Sequence, residues 1–159
     1  MALERTIESD TDNPLALEAQ VCFALSVAAR NVVAVYRPLL EPMGLTHPQY
    51  LVMLALWQYE PLSVRKLSRL LQLDPGTLSP LLKRLEASDL ISRQRDSHDE
   101  RLLAVTLTQK GRALREDAMN IPPAVVAKLG IQIDELQALH AALTRVIGAA
   151  QTAVGVDEH

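Results

Sequence analysis

Two capped helices joined by a short link, followed at once by a change of hydrophobic period, constrain this chain more than any other feature. Ser63 is placed to cap a helix reaching about residue 72. Asp74 with Pro75 opens the next, which reaches about residue 88. The period then shortens from helical to two. Residues 91–95 and 102–107 read as strands, with Leu103, Val105 and Leu107 alternating with Ala104 and Thr106 around a polar tip at 96–100. Helix, turn, helix and hairpin is the order of a winged helix-turn-helix.

The flanks are helical. Residues 15–40 form a long apolar stripe (Cys22, Leu25, Ala29, Val32, Tyr36, Leu39), with Asn13-Pro14 read as its start. Pro42-Met43-Gly44 breaks the chain. Thr46 and Gln49 then make a capping box for a helix to about residue 58, apolar nearly all round through Leu51, Val52, Leu54, Ala55 and Leu56. Thr108 caps a helix expected to run past Met119 and to be interrupted at Ile121-Pro122-Pro123. After Gly130 a last helix, striped by Ile133, Leu136, Leu139, Leu143, Val146 and Ile147, reaches about residue 150. The expected fold is mainly α with a small β-wing. Residues 46–107 are assigned to a winged helix-turn-helix DNA-binding domain, 15–45 and 108–150 to dimerisation helices, and 1–13 and 152–159 to flexible tails. Two wide apolar helices at the chain ends call for a partner, and a homodimer supplies one.

Charge agrees. The net charge is −3, yet between Leu62 and Arg112 ten basic residues face six acidic ones. A basic patch on an acidic chain is the footprint of a nucleic-acid binder. On the helix opened by Asp74, Leu78, Leu81, Leu82 and Leu85 form the buried face. Gly76, Thr77, Ser79, Pro80, Lys83 and Arg84 form the other, small at its start and basic further on. Such a helix enters the major groove, its first amides free to meet a phosphate. On the hairpin, Arg93, Arg95 and Arg101 flank the tip, and Asp99 is spaced to brace Arg101 for a narrow minor groove.

The run Leu73-Asp74-Pro75-Gly76-Thr77-Leu78-Ser79-Pro80-Leu81-Leu82-Lys83-Arg84-Leu85-Glu86, with Asp99-Glu100-Arg101 and Leu107-Thr108-Gln109-Lys110-Gly111, resembles the MarR family of bacterial repressors. The resemblance covers residues 17–150. It implies a homodimer joined through first and last helices, on a pseudo-palindromic operator of double-stranded DNA.

Within that family, Glu18-x-x-x-Cys22-Phe23-Ala24-Leu25, Tyr36-x-Pro38-Leu39-Leu40 and Pro48-Gln49-Tyr50-Leu51 resemble the organic-hydroperoxide-sensing repressors. The resemblance implies that Cys22 is oxidised by an organic hydroperoxide, that Tyr36 hydrogen-bonds its sulfur from the other subunit, and that Tyr50 belongs to the same pocket. With one cysteine in the chain, the match is to the subtype whose sulfenic acid is captured by a low-molecular-weight thiol or oxidised further. Two positions depart from the pattern: Ser26 and His47 stand where those sensors carry tyrosines. Geometry agrees with a cross-subunit pair. Cys22 and Tyr36 are about 21 Å apart along one helix but close to four whole turns, so they share a face without touching. Two such helices crossing antiparallel near Ala29 would bring Cys22 of one toward Tyr36 of the other.

Other functions are less well served. A lone cysteine excludes an internal disulfide or a Cys-based zinc site and suits a reducing, cytoplasmic compartment. His47, His98 and His140 are too scattered to nominate a metal site, and no cofactor motif is present. Without an uncharged apolar stretch of about 18 residues, no membrane span is expected. Cys22 read from burial preference alone is a small core hydrophobe, which leaves open a repressor answering to a small aromatic effector. A thiol peroxidase is the remaining alternative, disfavoured by the basic helix-turn-helix and the missing resolving cysteine. An enzyme is not expected.

Overall fold

In the computed structural model, residues 13–95, 98 and 103–155 are described. Helix α1 spans Val21–Leu40, α2 His47–Tyr59, α3 Val64–Leu71 and α4 Pro75–Ala87. Strands β2 (Ile91–Arg95) and β3 (Leu103–Leu107) form the wing, and α5 (Gln109–Ala118), α6 (Ile121–Leu129) and α7 (Ile133–Ala153) complete the chain. A third strand, β1 (Leu62–Ser63), pairs antiparallel with β3, giving sheet order β1-β3-β2. The fold class read from the sequence is the one observed. The chain forms two compact units, residues 1–112 and 113–159.

The caps explain most of the boundaries. Thr46 Oγ1 accepts from the Gln49 amide while Gln49 Oε1 accepts from that of Thr46, so the capping box of α2 closes in both directions. Ser63 Oγ accepts from the Lys66 amide at 3.1 Å, and Asp74 Oδ1 from the Thr77 amide at 2.9 Å. The start of α1 differs from expectation. Asn13 accepts from the Leu15 amide, making only a local turn. The Gln20 side chain donates back to the carbonyls of Pro14 and Ala16. Gln20 is therefore extended, and α1 begins at Val21. Helix α5 stops at Ala118 rather than passing Met119, because Pro122 and Pro123 fit the first turn of a new helix, where their missing N–H groups cost nothing. Helix α7 continues through Thr152 to Ala153.

The core of the first unit is α2 wrapped by α3, α4 and the sheet. Val52, Met53, Leu56, Leu67, Leu78, Leu82, Leu85 and Val105 are essentially inaccessible. Two details depart from the sequence pattern. Leu54 is exposed, and the inward positions of β3 are Ala104, Val105 and Leu107 while Leu103 faces out. Leu103 lies at the wing's distal end, beyond the helices that could cover it.

A tight joint locks the wing to α2 and α5. Trp57 Nε1 donates to the Gly111 carbonyl at 2.9 Å. Glu60 accepts from the Leu107 amide and from two nitrogens of Arg112. Thr108 Oγ1 accepts from the Gly111 amide and donates to the Asp89 carbonyl. A Cβ on Gly111 would stand 2.0 Å from the Leu90 carbonyl oxygen, so the glycine of the Leu-Thr-x-x-Gly junction is a steric requirement. Gly111→Ala is expected to destabilise the fold by roughly 3 kcal/mol or more, since the obstacle is backbone and cannot rotate away. Urea unfolding of the two proteins checks this; a loss below about 0.5 kcal/mol would show that the junction yields.

Only Leu40 of the twenty residues of α1 is buried, and none of α7. Val21–Met43 is long and apolar enough, by length and composition, to cross a membrane. The criterion of an uncharged stretch passes over this segment because Arg30 and Arg37 interrupt it. A guanidinium near mid-membrane costs about 3 kcal/mol even on lenient scales, whereas a second helix could cover the stripe and leave Arg30 in water.

Candidate DNA-reading face and thiol site

Helix α4 presents the face the sequence nominated. Gly76, Thr77, Pro80, Lys83 and Arg84 are exposed and Ser79 is half-buried, while Leu78, Leu82 and Leu85 anchor the opposite side and Leu81 is half-covered. Its first turn is not open to a phosphate, however. The Asp74 carboxylate takes both the Thr77 amide and, at 2.7 Å, the Thr77 hydroxyl. The Thr77 hydroxyl bond, more than the amide bonds, holds the Asp74 carboxyl below the usual carboxylate range. A fixed anion therefore sits at the helix start, and the exposed cations for a phosphate backbone are Lys83 and Arg84, further along.

The wing divides its arginines. Arg93 turns onto Glu86 of α4, with Nη2 at 2.6 Å and Nε at 3.1 Å from the same carboxylate oxygen. That bond lowers the Glu86 pKa and raises that of Arg93. The pair ties β2 to the recognition helix, a task no sequence spacing announced, because helix and strand meet only in the fold. Arg95, two residues on, is exposed. Asp99 and Arg101 lie outside the described residues.

The residues grouped around the thiol separate into two places. Cys22 is exposed near the start of α1. Ser26 donates its hydroxyl to the Cys22 carbonyl oxygen at 2.9 Å, a bond to backbone and not to sulfur. Tyr36, His47 and Tyr50 come together at the other end: the Tyr36 ring lies 4.9 Å from His47 and 6.0 Å from Tyr50. Trp57 extends the row, 6.4 Å beyond Tyr50. Tyr50 is core, and burial first, then the neighbouring Tyr36, pushes its phenol up. Tyr36 and His47 are half-buried. Among the described residues, neither the Tyr36 hydroxyl nor either nitrogen of His47 has a hydrogen-bond partner. A recess of about 520 Å³ opens beside His47, lined in part by Val33, Arg37, Glu41, Thr46 and His47 itself.

Two outcomes follow from this geometry. Lys83→Ala should make the salt dependence of DNA binding shallower by about 0.9 in log–log slope per subunit, one phosphate contact each; an unchanged slope would place Lys83 away from the backbone. Burial holds the pKa of His47 below that of a free imidazole, about 6.5. The unfolded chain therefore takes up the proton first, so the stability linked to His47 is full above that value and declines as pH falls through the folded one. Urea midpoints of wild type and His47→Gln, compared on either side of that range, should show the larger acid loss in wild type. Parallel losses would contradict the burial of a neutral imidazole.

Comparison with known proteins closes the question of kinship. The family described as transcriptional regulator SarA/Rot matches residues 34–118. The HTH-type transcriptional regulator TtmR of Methylorubrum extorquens is 46% identical over 140 residues, 87% of this chain and 72% of that protein. The organic hydroperoxide resistance transcriptional regulator of Bacillus subtilis is 42% identical over 127 residues, 80% of this chain and 86% of its own. Among solved structures, AbfR of Staphylococcus epidermidis, bound to DNA in both reduced and overoxidized forms, superposes with a TM-score of 0.69 at 32% identity, over 84% of this chain and 94% of that one. With its helix-turn-helix, paired wing and Leu-Thr-x-x-Gly joint, the chain belongs to the SarA/Rot and MarR family of winged-helix, DNA-binding transcriptional regulators.

Proposed function

We propose that the protein is a homodimeric repressor that holds a pseudo-palindromic operator while Cys22 is reduced and releases it when an organic hydroperoxide oxidises that thiol. The observation that carries the reading is the placement of Cys22 on the uncovered face of α1, on the same side as Tyr36, whose hydroxyl has no hydrogen-bond partner among the described residues. An antiparallel crossing of two α1 helices near Ala29 pairs each thiol with the other subunit's tyrosine. The Bacillus relative's role in organic hydroperoxide resistance supports the same reagent.

In this reading segments 15–45 and 108–150 build the dimer, and 46–107 read DNA. Gly76, Thr77, Ser79 and Pro80 approach the major groove, with Lys83 and Arg84 on phosphates or guanine edges. Arg95, with Arg101 braced by Asp99, reaches the minor groove. Arg93 contributes by holding the wing on Glu86. The protein works in the reducing cytoplasm, as a stoichiometric switch rather than an enzyme, and needs no cofactor.

Oxidation forms a sulfenic acid, which a low-molecular-weight thiol converts to a mixed disulfide with loss of water. AbfR is found on DNA both reduced and overoxidized, so the added bulk of the mixed disulfide, more than oxygen itself, is the change assigned to release. Bulk in a closely packed helix interface forces the helices apart, and the recognition helices then lose the spacing of about one DNA turn that a palindrome requires. A second reading, favoured by the recess beside His47, is a repressor that takes a small aromatic effector there.

Cys22→Ser should bind operator as wild type does and ignore cumene hydroperoxide with a small thiol, while wild type releases. Tyr36→Phe should bind operator and respond more slowly. Peroxide-induced release, followed by fluorescence anisotropy for all three, is the measurement. Equal release from wild type and Cys22→Ser would contradict the redox switch and leave the effector-binding repressor standing.

A further inference from the structure

His47 gives this chain a group that a tyrosine at the same place would not. Its ring packs edge-on against Tyr36 at 4.9 Å, at the first position of α2. The amides of Thr46 and Gln49 beside it are already taken by the capping box. Its own nitrogens have no partner among the described residues, and the residue lines a recess of about 520 Å³. In the cross-subunit site proposed above, a thiol brought to Tyr36 comes to the ring against which His47 packs.

We propose that His47 of one subunit takes the proton of the partner's Cys22 thiol and returns it to the leaving alkoxide, so that the rate of peroxide sensing follows the protonation state of His47. The proposal rests on the cross-subunit thiol site described above. The step balances. The S–H proton moves to the neutral imidazole, leaving thiolate beside imidazolium. The sulfur attacks the terminal peroxide oxygen, forming an S–O bond as the O–O bond breaks. The alkoxide takes the proton from the imidazolium, giving an alcohol, a sulfenic acid and a neutral imidazole again. Sulfur loses two electrons and the peroxide gains them.

The surroundings suit the role. Burial lowers the His47 pKa, which keeps the ring neutral and able to accept a proton near neutral pH. Burial pushes the Tyr50 phenol up, so it keeps its proton and offers no base beside the imidazole. Arg37 and Glu41, the charged groups lining the same recess, are of opposite sign and neither forms an ion pair among the described residues. His47 thus brings to the recess an imidazole, the side-chain type suited to moving a proton near neutral pH.

The test is the second-order rate of Cys22 oxidation by cumene hydroperoxide in the full-length protein, followed by mass spectrometry across pH, for wild type, His47→Gln and His47→Phe. The phenylalanine keeps the ring packing on Tyr36, and operator binding by the reduced proteins reports whether each is folded. In alkaline solution, where hydroxide can take the thiol proton without help, both variants should match wild type. At about pH 6.5 at least one folded variant should be slower by roughly tenfold or more, the effect of a lost proton acceptor. A variant-to-wild-type ratio that stays constant with pH, while Cys22 is oxidised, would overturn the role of His47 alone. Failure of the peroxide to oxidise Cys22 in wild type would overturn the redox reading itself, and this proposal with it.

Discussion

A helix of twenty residues with one buried side chain cannot be content alone in water. Helix α1 exposes Val21 at 65% and Phe23 at 41%, and α7 exposes Ile133, Leu139, Val146 and Ile147. Each large aliphatic or aromatic side chain covered would contribute about 1.5–3 kcal/mol, so a second copy of the same surface gains from every residue along the stripe. A two-fold partner also solves the problem that Cys22 and Tyr36 pose within one chain. Sharing a face but lying four turns apart, they can meet only by pairing with their symmetry mates. Dimerisation and the thiol site are in this account the same event, which is why a change at one sulfur can move a whole interface.

The first unit shows how such a movement could be passed on without loss. Trp57 on Gly111, Glu60 on Leu107 and Arg112, and Arg93 on Glu86 tie α2, the wing, α5 and the recognition helix into one piece. The Glu86–Arg93 pair is half-exposed and adds little stability by itself. Its effect is positional, setting where Arg95 leaves the sheet relative to α4. Similarly, the Asp74 cap fixes the first turn of α4 but places a negative charge there. The exposed cations of α4, Lys83 and Arg84, lie further along than the small residues at its start.

Much of this was legible in the sequence because caps and periodicity are local. Thr46, Ser63, Asp74, Thr108 and Gly130 each end or begin a helix where the residue type says they should. The misses are of two kinds. Asn13-Pro14 looks like a helix start, yet Gln20 turns its side chain back on the preceding carbonyls and delays the helix. Strand β1 has two residues, one of them already the cap of α3, so no alternation could reveal it. The long-range pairs were invisible for a different reason. Glu60 meets Arg112 across 52 positions and Trp57 meets Gly111 across 54, and nothing in either neighbourhood names its partner. The thiol site lies between these cases: Tyr36, His47 and Tyr50 do converge, whereas Cys22 and Ser26 stay at the far end of the helix, as the spacing required.

The central claim is that each thiol site is built from two chains, and mixed dimers test it most directly. One heterodimer would carry Cys22→Ser in one chain and Tyr36→Phe in the other; a second would carry both substitutions in one chain beside a wild-type partner. Each holds a single thiol. A cross-subunit site keeps that thiol opposite a tyrosine in the first heterodimer and opposite a phenylalanine in the second. The account predicts that Cys22 in the first is oxidised by cumene hydroperoxide as fast as in wild type, and in the second as slowly as in the Tyr36→Phe homodimer. The reverse order would place the thiol and its tyrosine in the same chain, and equal rates would remove Tyr36 from the site; either result would contradict the shared site.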